Sequence, residues 1–96
     1  MAEAVLYTRA DCHLCHRARA ILDAIARDCP LAIREQDVDA DPTLRERYGG
    51  IVPVVEVEGQ ILAAGRVSEF RLRRALGVPP TARAWIGLAR SALRSE

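Results

Sequence analysis

The chain has 96 residues, half of them hydrophobic, with 14 basic and 13 acidic side chains and a formal net charge of +1. This length allows one domain with a modest core. The near-neutral charge argues against nucleic acid as a partner, because such binding rests on a broad basic surface. With no run of 18 apolar residues and no basic, signal-like start, we expect a cytoplasmic protein, and a membrane is not an expected partner.

The first predicted elements are an apolar strand over residues 4–8 and an amphipathic helix, with two cysteines where the helix begins. The apolar residues of the helix recur at helical spacing: Leu14, Ala18, Ile21, Leu22 and Ile25. Two thiols three residues apart, such as Cys12 and Cys15, can close a disulfide. The first N–H groups and the positive dipole end of the helix favour the thiolate of Cys12. The pattern indicates dithiol exchange chemistry.

The remaining elements are predicted in the order strand, helix, hairpin and helix, over residues 31–39, 42–48, 51–57 with 60–64, and 67–76. Asp41 and Ser68 are typical helix caps. Gly59 supplies the positive φ of a tight hairpin turn, and Gly77 ends the last helix. The sequence therefore predicts an α/β domain of order β-α-β-α-β-β-α over residues 1–78.

Four acidic residues alternate near the end of the second strand, at Glu35, Asp37, Asp39 and Asp41. Alternation on a strand would place them on one face. They lack the glycine turn and the closing glutamate of a calcium loop. We therefore interpret them as a solvated strand edge without a metal.

The order of elements and several motifs together resemble the glutaredoxin-like proteins of the thioredoxin superfamily, over about residues 3–77. The matching motifs are Leu6-Tyr7-Thr8-Arg9 before the cysteines, Asp37-Val38-Asp39, Val52-Pro53 before the hairpin, and Gly65-Arg66 after it. The resemblance implies a thioredoxin-like fold, in which a four-stranded mixed sheet has β3 beside β1 and helices on both faces. It also implies a thiol-disulfide oxidoreductase.

The resemblance assigns the chemistry to the cysteine segment. Cys12 would attack a substrate disulfide, and Cys15 would resolve the mixed disulfide. Arg9 would lie beside the outer thiol and stabilise its thiolate. Here the chain departs from the family, which usually carries Pro-Tyr where this sequence has His13-Leu14. A histidine beside the thiols would favour the reduced form and make the disulfide more oxidising.

Substrate binding is assigned to the segment before the hairpin and the glycine after it. A cis Val52–Pro53 bond would let Val52 present its backbone N–H and C=O to an extended substrate segment. Gly65, together with Arg9 and His13, completes the predicted substrate-binding set. Family members that use glutathione commonly carry Thr where this chain has Ile51, and a Gly-Gly motif followed by Asp where it has Ala64-Gly65-Arg66-Val67-Ser68. These differences predict weak glutathione specificity.

The expected partners follow from this chemistry. The substrate would be a disulfide-containing protein or a glutathione mixed disulfide. Electrons would come from a reducing dithiol partner or from glutathione, and no bound cofactor is expected.

Two other interpretations of the cysteine segment are less favoured. Cys12-His13-Leu14-Cys15-His16 matches the C-x-x-C-H pattern of c-type haem attachment, but no export signal precedes it and Met1 is the sole methionine. A zinc site with Cys12, Cys15, His16 and Cys29 as candidate ligands lacks the second ligand pair that structural zinc usually has. Cys29 lies about 20 Å away at the helical rise per residue, and we interpret it as a packed hydrophobe.

Residues 79–96 form a predicted tail. Over residues 81–94 the sequence predicts a helix with an apolar stripe, anchored by Trp85, on one side and a row of arginines on the opposite side. This is the pattern of an amphipathic basic helix. No redox mechanism requires such a tail. It therefore keeps a second hypothesis open, in which the chain is a thioredoxin-like adaptor that recognises a partner without turnover.

Overall fold

A computed structural model describes residues 2–79, which form one four-stranded sheet with three α-helices. In chain order the elements are β1 (Ala2–Thr8), α1 (His13–Ala26), β2 (Leu31–Asp37), a short 3-10 helix (Val38–Ala40), α2 (Pro42–Tyr48), β3 (Val54–Val57), β4 (Gln60–Ala64) and α3 (Glu69–Leu76). The predicted tail lies outside the described residues, apart from Pro79, so its helix and the domain boundary stay predictions. No helix within residues 2–79 is long and apolar enough to cross a membrane.

The strands lie in the order β2-β1-β3-β4. β1 runs parallel to β2, and β3 runs antiparallel to both β1 and β4. The parallel pair requires a crossover, which α1 supplies. Glu58 and Gly59 make the tight turn between β3 and β4 with φ values of 51° and 79°. The predicted mixed sheet with β3 beside β1 is confirmed.

The main core lies between one face of the sheet and the helices α1 and α3. Alternation along β1 directs Ala4 and Leu6 to this face, and β3 adds Val55 and Val57. The helices bury apolar residues at helical spacing against these strands, namely Ala18, Leu22 and Ile25 from α1 and Leu72 from α3. Cys29 packs against the same cluster, which agrees with its interpretation as a packed hydrophobe.

The opposite face of the sheet holds a smaller cluster of Val38, Tyr48 and Val54, which α2 covers. The ring centroids of Tyr7 and Tyr48 lie 4.5 Å apart. The hydroxyl of Tyr7 donates to the carboxylate of Glu56 at 3.3 Å. Partial burial, and next the negative charge of Glu56, raise the pKa of Tyr7. Helices therefore cover both faces of the sheet, as predicted.

Four predicted element boundaries were wrong. β1 begins at Ala2 rather than at residue 4, because its pairing with β2 extends to Ala2 and Leu31. β2 ends at Asp37, because its carboxylate accepts a hydrogen bond from the N–H of Asp39 at 2.9 Å and the chain turns into the 3-10 helix. β3 begins at Val54 rather than at residue 51, since Pro53 has no N–H to donate to a strand neighbour. The last helix begins at Glu69 rather than at residue 67, because Ser68 is its cap.

The helix caps themselves were predicted correctly. Asp41 accepts from the N–H of Thr43 at 2.9 Å, and Ser68 accepts from the N–H of Arg71 at 3.3 Å. Gly77 ends α3 with φ 73°, a left-handed conformation that glycine adopts without steric cost.

A buried arginine joins α3 to the C-terminal end of α1, and sequence reasoning missed it. The side chain of Arg73 is 1 % exposed and pairs with Asp28 at 2.7 Å and Glu69 at 3.0 Å. It also donates to the carbonyls of Ala24 at 3.3 Å and Pro79 at 3.2 Å. Burial opposes the charge, but the hydrogen bonds to the two carboxylates outweigh it and raise the pKa of Arg73.

Candidate active site

The two cysteines of the first motif form a disulfide at the start of α1, with their Cα atoms 5.2 Å apart. Cys12 is the N-cap residue, and its sulfur accepts a hydrogen bond from the N–H of Cys15 at 3.1 Å. Sulfur thus takes the place that a serine or aspartate oxygen usually has at a cap. The first turn of α1 contains no acidic residue. The positive end of the helix dipole therefore acts on Cys12 without a counter-charge from that turn.

The two cysteine residues differ in exposure. Cys15 is 2 % exposed, whereas Cys12 is half-buried. The neighbouring His13 and His16 are exposed at the start of the helix. A substrate arriving from solvent can therefore reach Cys12 and the side chain of His13, but not Cys15.

The second part of the site is the segment from Ile51 to Pro53, which precedes β3. The Val52–Pro53 bond is cis, as expected from the resemblance. The N–H of Gly65 donates to the carbonyls of Ile51 at 3.0 Å and Pro53 at 2.8 Å. Gly65 has φ 76°, so the shape of the chain at this contact favours glycine. The predicted binding residues after β4 and before β3 are therefore brought together by direct hydrogen bonds.

Val52 differs from its neighbours in its backbone. Within residues 2–79, neither its N–H nor its C=O makes a hydrogen bond. Its side chain packs against the smaller cluster beside Tyr48. With the side chain held inward, the two polar backbone groups are free to pair with an extended segment of another chain.

The sheet brings the cysteines and the segment from Ile51 to Pro53 to the same end of its two central strands, β1 and β3. Tyr7, near the end of β1, pairs with Val54 at the start of β3. The chain that leads from β1 to Cys12 and the chain that ends at Pro53 therefore leave the sheet side by side.

Arg9 links these two parts. Its Nε and Nη2 donate to the carboxylate of Asp39 at 3.1 and 2.9 Å, and its Nη1 donates to the carbonyl of Gly49 at 3.0 Å. The hydrogen bond from Arg9 holds the pKa of Asp39 below its usual value, and the same bond raises the pKa of Arg9. Sequence reasoning named Arg9 but missed both partners, which lie 30 and 40 residues away. Its predicted action on the thiolate stays a prediction.

The four alternating acidic residues do not share a face, because β2 ends at Asp37 and the chain then turns. Each has a separate role: Glu35 pairs with Arg19 at 3.0 Å, Asp39 pairs with Arg9, and Asp37 and Asp41 accept backbone hydrogen bonds. In the part of the chain that the structure describes, no group of three or more His, Cys, Asp or Glu side chains could hold a metal ion.

Comparisons with known proteins agree with this geometry. A family model described as glutaredoxin-like domain (DUF836) matches residues 3–77. The crystal structure of protein XcR50 from X. campestris is 35% identical, covers 80% of this chain and 99% of its own, and aligns with TM-score 0.66. The comparison with curated proteins found no match.

Two more distant structures share the fold. Protein Ne2328 from Nitrosomonas europaea is 22% identical, with TM-score 0.68 over 77% of this chain and 89% of its own. A point mutant of thioredoxin from Halobacterium salinarum NRC-1 is 20% identical, with TM-score 0.59 over 77% of this chain and 70% of its own. This likeness establishes the thioredoxin-like fold that the sequence predicted.

Proposed function

Because this chain belongs to the family of glutaredoxin-like domains, we propose that it is a thiol-disulfide oxidoreductase with Cys12 as nucleophile and Cys15 as resolving thiol. One observation carries the proposal. A half-buried cysteine at a helix N-cap forms a disulfide with a buried cysteine one turn later. The first thiol meets the substrate, and the second is positioned to release it.

The reaction consists of two exchanges. The Cys12 thiolate attacks one sulfur of a substrate disulfide, the substrate S–S bond breaks, and the leaving thiolate takes up a proton. Cys15 loses its proton and attacks the Cys12 sulfur, which releases the second substrate thiol and leaves the Cys12–Cys15 disulfide. Two electrons have then passed to the substrate. A reducing dithiol partner or two glutathione molecules must return them.

The N–H of Cys15 supports the first exchange, because a hydrogen bond to the Cys12 sulfur favours its thiolate form. The backbone of Val52 would hold an extended substrate segment, with Pro53 and Gly65 fixing that backbone. His13 and Arg9 complete the proposed set of site residues. His13 is exposed beside Cys12, and Arg9 acts through its contacts with Asp39 and Gly49. The proposed setting is the cytoplasm, where thiols are kept reduced.

The test is reduction of insulin disulfides and of a glutathione mixed disulfide by the wild type, Cys12→Ser and Cys29→Ser. We expect turnover by the wild type and by Cys29→Ser, and none by Cys12→Ser. Cys29→Ser is the matched control because it also removes one thiol but leaves the cysteine pair intact. Equal rates for the wild type and Cys12→Ser would contradict the proposal, and wild-type binding without turnover would favour an adaptor.

A further inference from the structure

Two exposed side chains belong to the two chain segments that Gly65 joins beside Val52, and neither has a role in the exchange chemistry. One belongs to Ile51, directly before Val52, and the other to Arg66, directly after Gly65. The bonds from Gly65 to the carbonyls of Ile51 and Pro53 hold the two chain segments together. We call these two side chains the Ile51–Arg66 rim.

Ile51 is 48% exposed although its backbone is fixed on both sides. Its N–H donates to the carbonyl of Tyr48 at 2.9 Å, and its C=O accepts from Gly65. A single exposed apolar residue is ordinary on a protein surface. Ile51, however, is held in place beside backbone that is free to bind another chain. An apolar side chain bound there would cover Ile51 without loosening the loop.

Within residues 2–79 the exposed side chain of Arg66 makes no ion pair or hydrogen bond. Several other exposed arginines in this part of the chain, Arg74 among them, also lack an ion pair, but Arg66 is the one that directly follows Gly65 and its contacts with Ile51 and Pro53. An unpaired cation at the edge of a binding site attracts acidic partners and disfavours basic ones.

We infer that the Ile51–Arg66 rim selects protein segments in which the substrate cysteine lies beside an apolar residue and an acidic residue. The inference rests on the proposed function, because it names the substrate class of the same site. A segment paired with the backbone of Val52 would place an apolar side chain on Ile51 and a carboxylate near Arg66. Glutathione offers carboxylates but no apolar side chain, so it would satisfy only half of the rim.

The experiment compares short peptides that differ only in the residues next to a single cysteine, which is joined to 2-mercaptoethanol as a mixed disulfide. The three peptides carry leucine with glutamate, leucine with lysine, and serine with glutamate. Glutathione joined to 2-mercaptoethanol is the fourth substrate, and 2-hydroxyethyl disulfide reports exchange that needs no recognition. The measured quantity is the ratio of kcat/KM values between substrates within each protein variant, so overall losses of activity cancel.

For the wild type we expect the leucine-glutamate peptide to have a kcat/KM about three- to tenfold higher than either other peptide or the glutathione substrate. This is the range that one solvent-exposed charge pair or apolar contact contributes. Arg66→Glu should reverse the preference between the glutamate and lysine peptides. Ile51→Ser should remove the preference for leucine over serine, through KM rather than kcat.

Two control variants make the same changes elsewhere. Arg74→Glu reverses an exposed charge in the last turn of α3, and Ile61→Ser removes a side chain that is 47% exposed on β4. Both should keep the wild-type ratios. Three results would overturn this inference but leave the proposed function standing. They are kcat/KM ratios near one in the wild type, a glutathione substrate that reacts faster than the peptides, and ratios that Arg66→Glu leaves unchanged. Failure of the wild type to reduce 2-hydroxyethyl disulfide would overturn the proposed function and this inference with it.

Discussion

Arg9 and Asp39 form a two-point ion pair, in which Nε and Nη2 of the guanidinium each donate to a different carboxylate oxygen. Both side chains are about 40% exposed, and exposed pairs contribute little to stability in general. The pair matters because of where it lies in the candidate site. Arg9 also holds the carbonyl of Gly49, so it joins the segment that leads to Cys12 with the segment that leads to Val52.

Asp39→Asn should therefore slow disulfide exchange several-fold while changing the stability at pH 7 only slightly. Glu35→Gln is the matched control, since it removes a similarly exposed pair with Arg19 that joins α1 to β2. Both are measured by kcat/KM on one disulfide substrate and by urea unfolding. Equal losses of activity in the two variants would argue against a positioning role for the pair.

The same pair should make stability depend on pH in a defined direction. The pKa of Asp39 is lowered in the folded protein, so the pair stabilises the fold above the ordinary aspartate value of about 3.9 and this contribution is lost as the pH falls through the lowered value. The stability difference between the wild type and Asp39→Asn should shrink below about pH 4. Urea unfolding at pH 7 and pH 3 measures it, and a difference that grows at pH 3 would contradict the assignment.

In the reduced protein the three thiols should react with iodoacetamide at different rates at pH 6. Cys12 should react fastest, because the N–H of Cys15 and the helix start favour its thiolate. Cys15 should react slowest, since it is 2 % exposed. Peptide mass analysis over time gives the order, and urea-unfolded protein should show similar rates for all three. Cys29 reacting before Cys12 would count against the nucleophile assignment.

Gly65→Ala should reduce stability and activity together. Alanine at φ 76° costs about 1 to 2 kcal/mol, and the resulting shift of the N–H would disturb its bonds to Ile51 and Pro53. Gly59→Ala is the matched control, because φ is 79° there and a Cβ would likewise meet nothing within 4 Å. It should cost similar stability but leave kcat/KM unchanged. Equal activity of the two variants would show that the Gly65 contacts do not support the site.

Arg73→Met should lower the free energy of unfolding by about 2 to 3 kcal/mol, because the carbonyls of Ala24 and Pro79 lose their Arg73 donor and Glu69 loses one hydrogen bond. The loss stays below that of a fully buried pair, since Asp28 can regain water. Arg74→Met is the control, because Arg74 is exposed in the same helix turn and should change stability by less than about 0.5 kcal/mol. Urea unfolding that gives equal midpoints for both variants would refute the importance of the Arg73 network.

The sequence alone was sufficient for features whose signals lie within a few residues of each other. Asp41 and Ser68 cap helices because their side chains bond N–H groups two or three residues later. The spacing of Cys12 and Cys15 needs only one helical turn to close. Periodicity identified the strands and helices, and the order of elements with the motifs led to the correct fold through a resemblance to a known family.

Tertiary structure alone decided the contacts between residues that are far apart in the chain. No local pattern pairs Arg9 with Asp39, joins Gly65 to Ile51, or buries Arg73 against Ala24. Each depends on how the sheet and helices pack, and packing determines which polar groups lose water and must find partners. The cysteine motif was thus readable from local sequence, whereas the shape of the candidate site around it came from the fold.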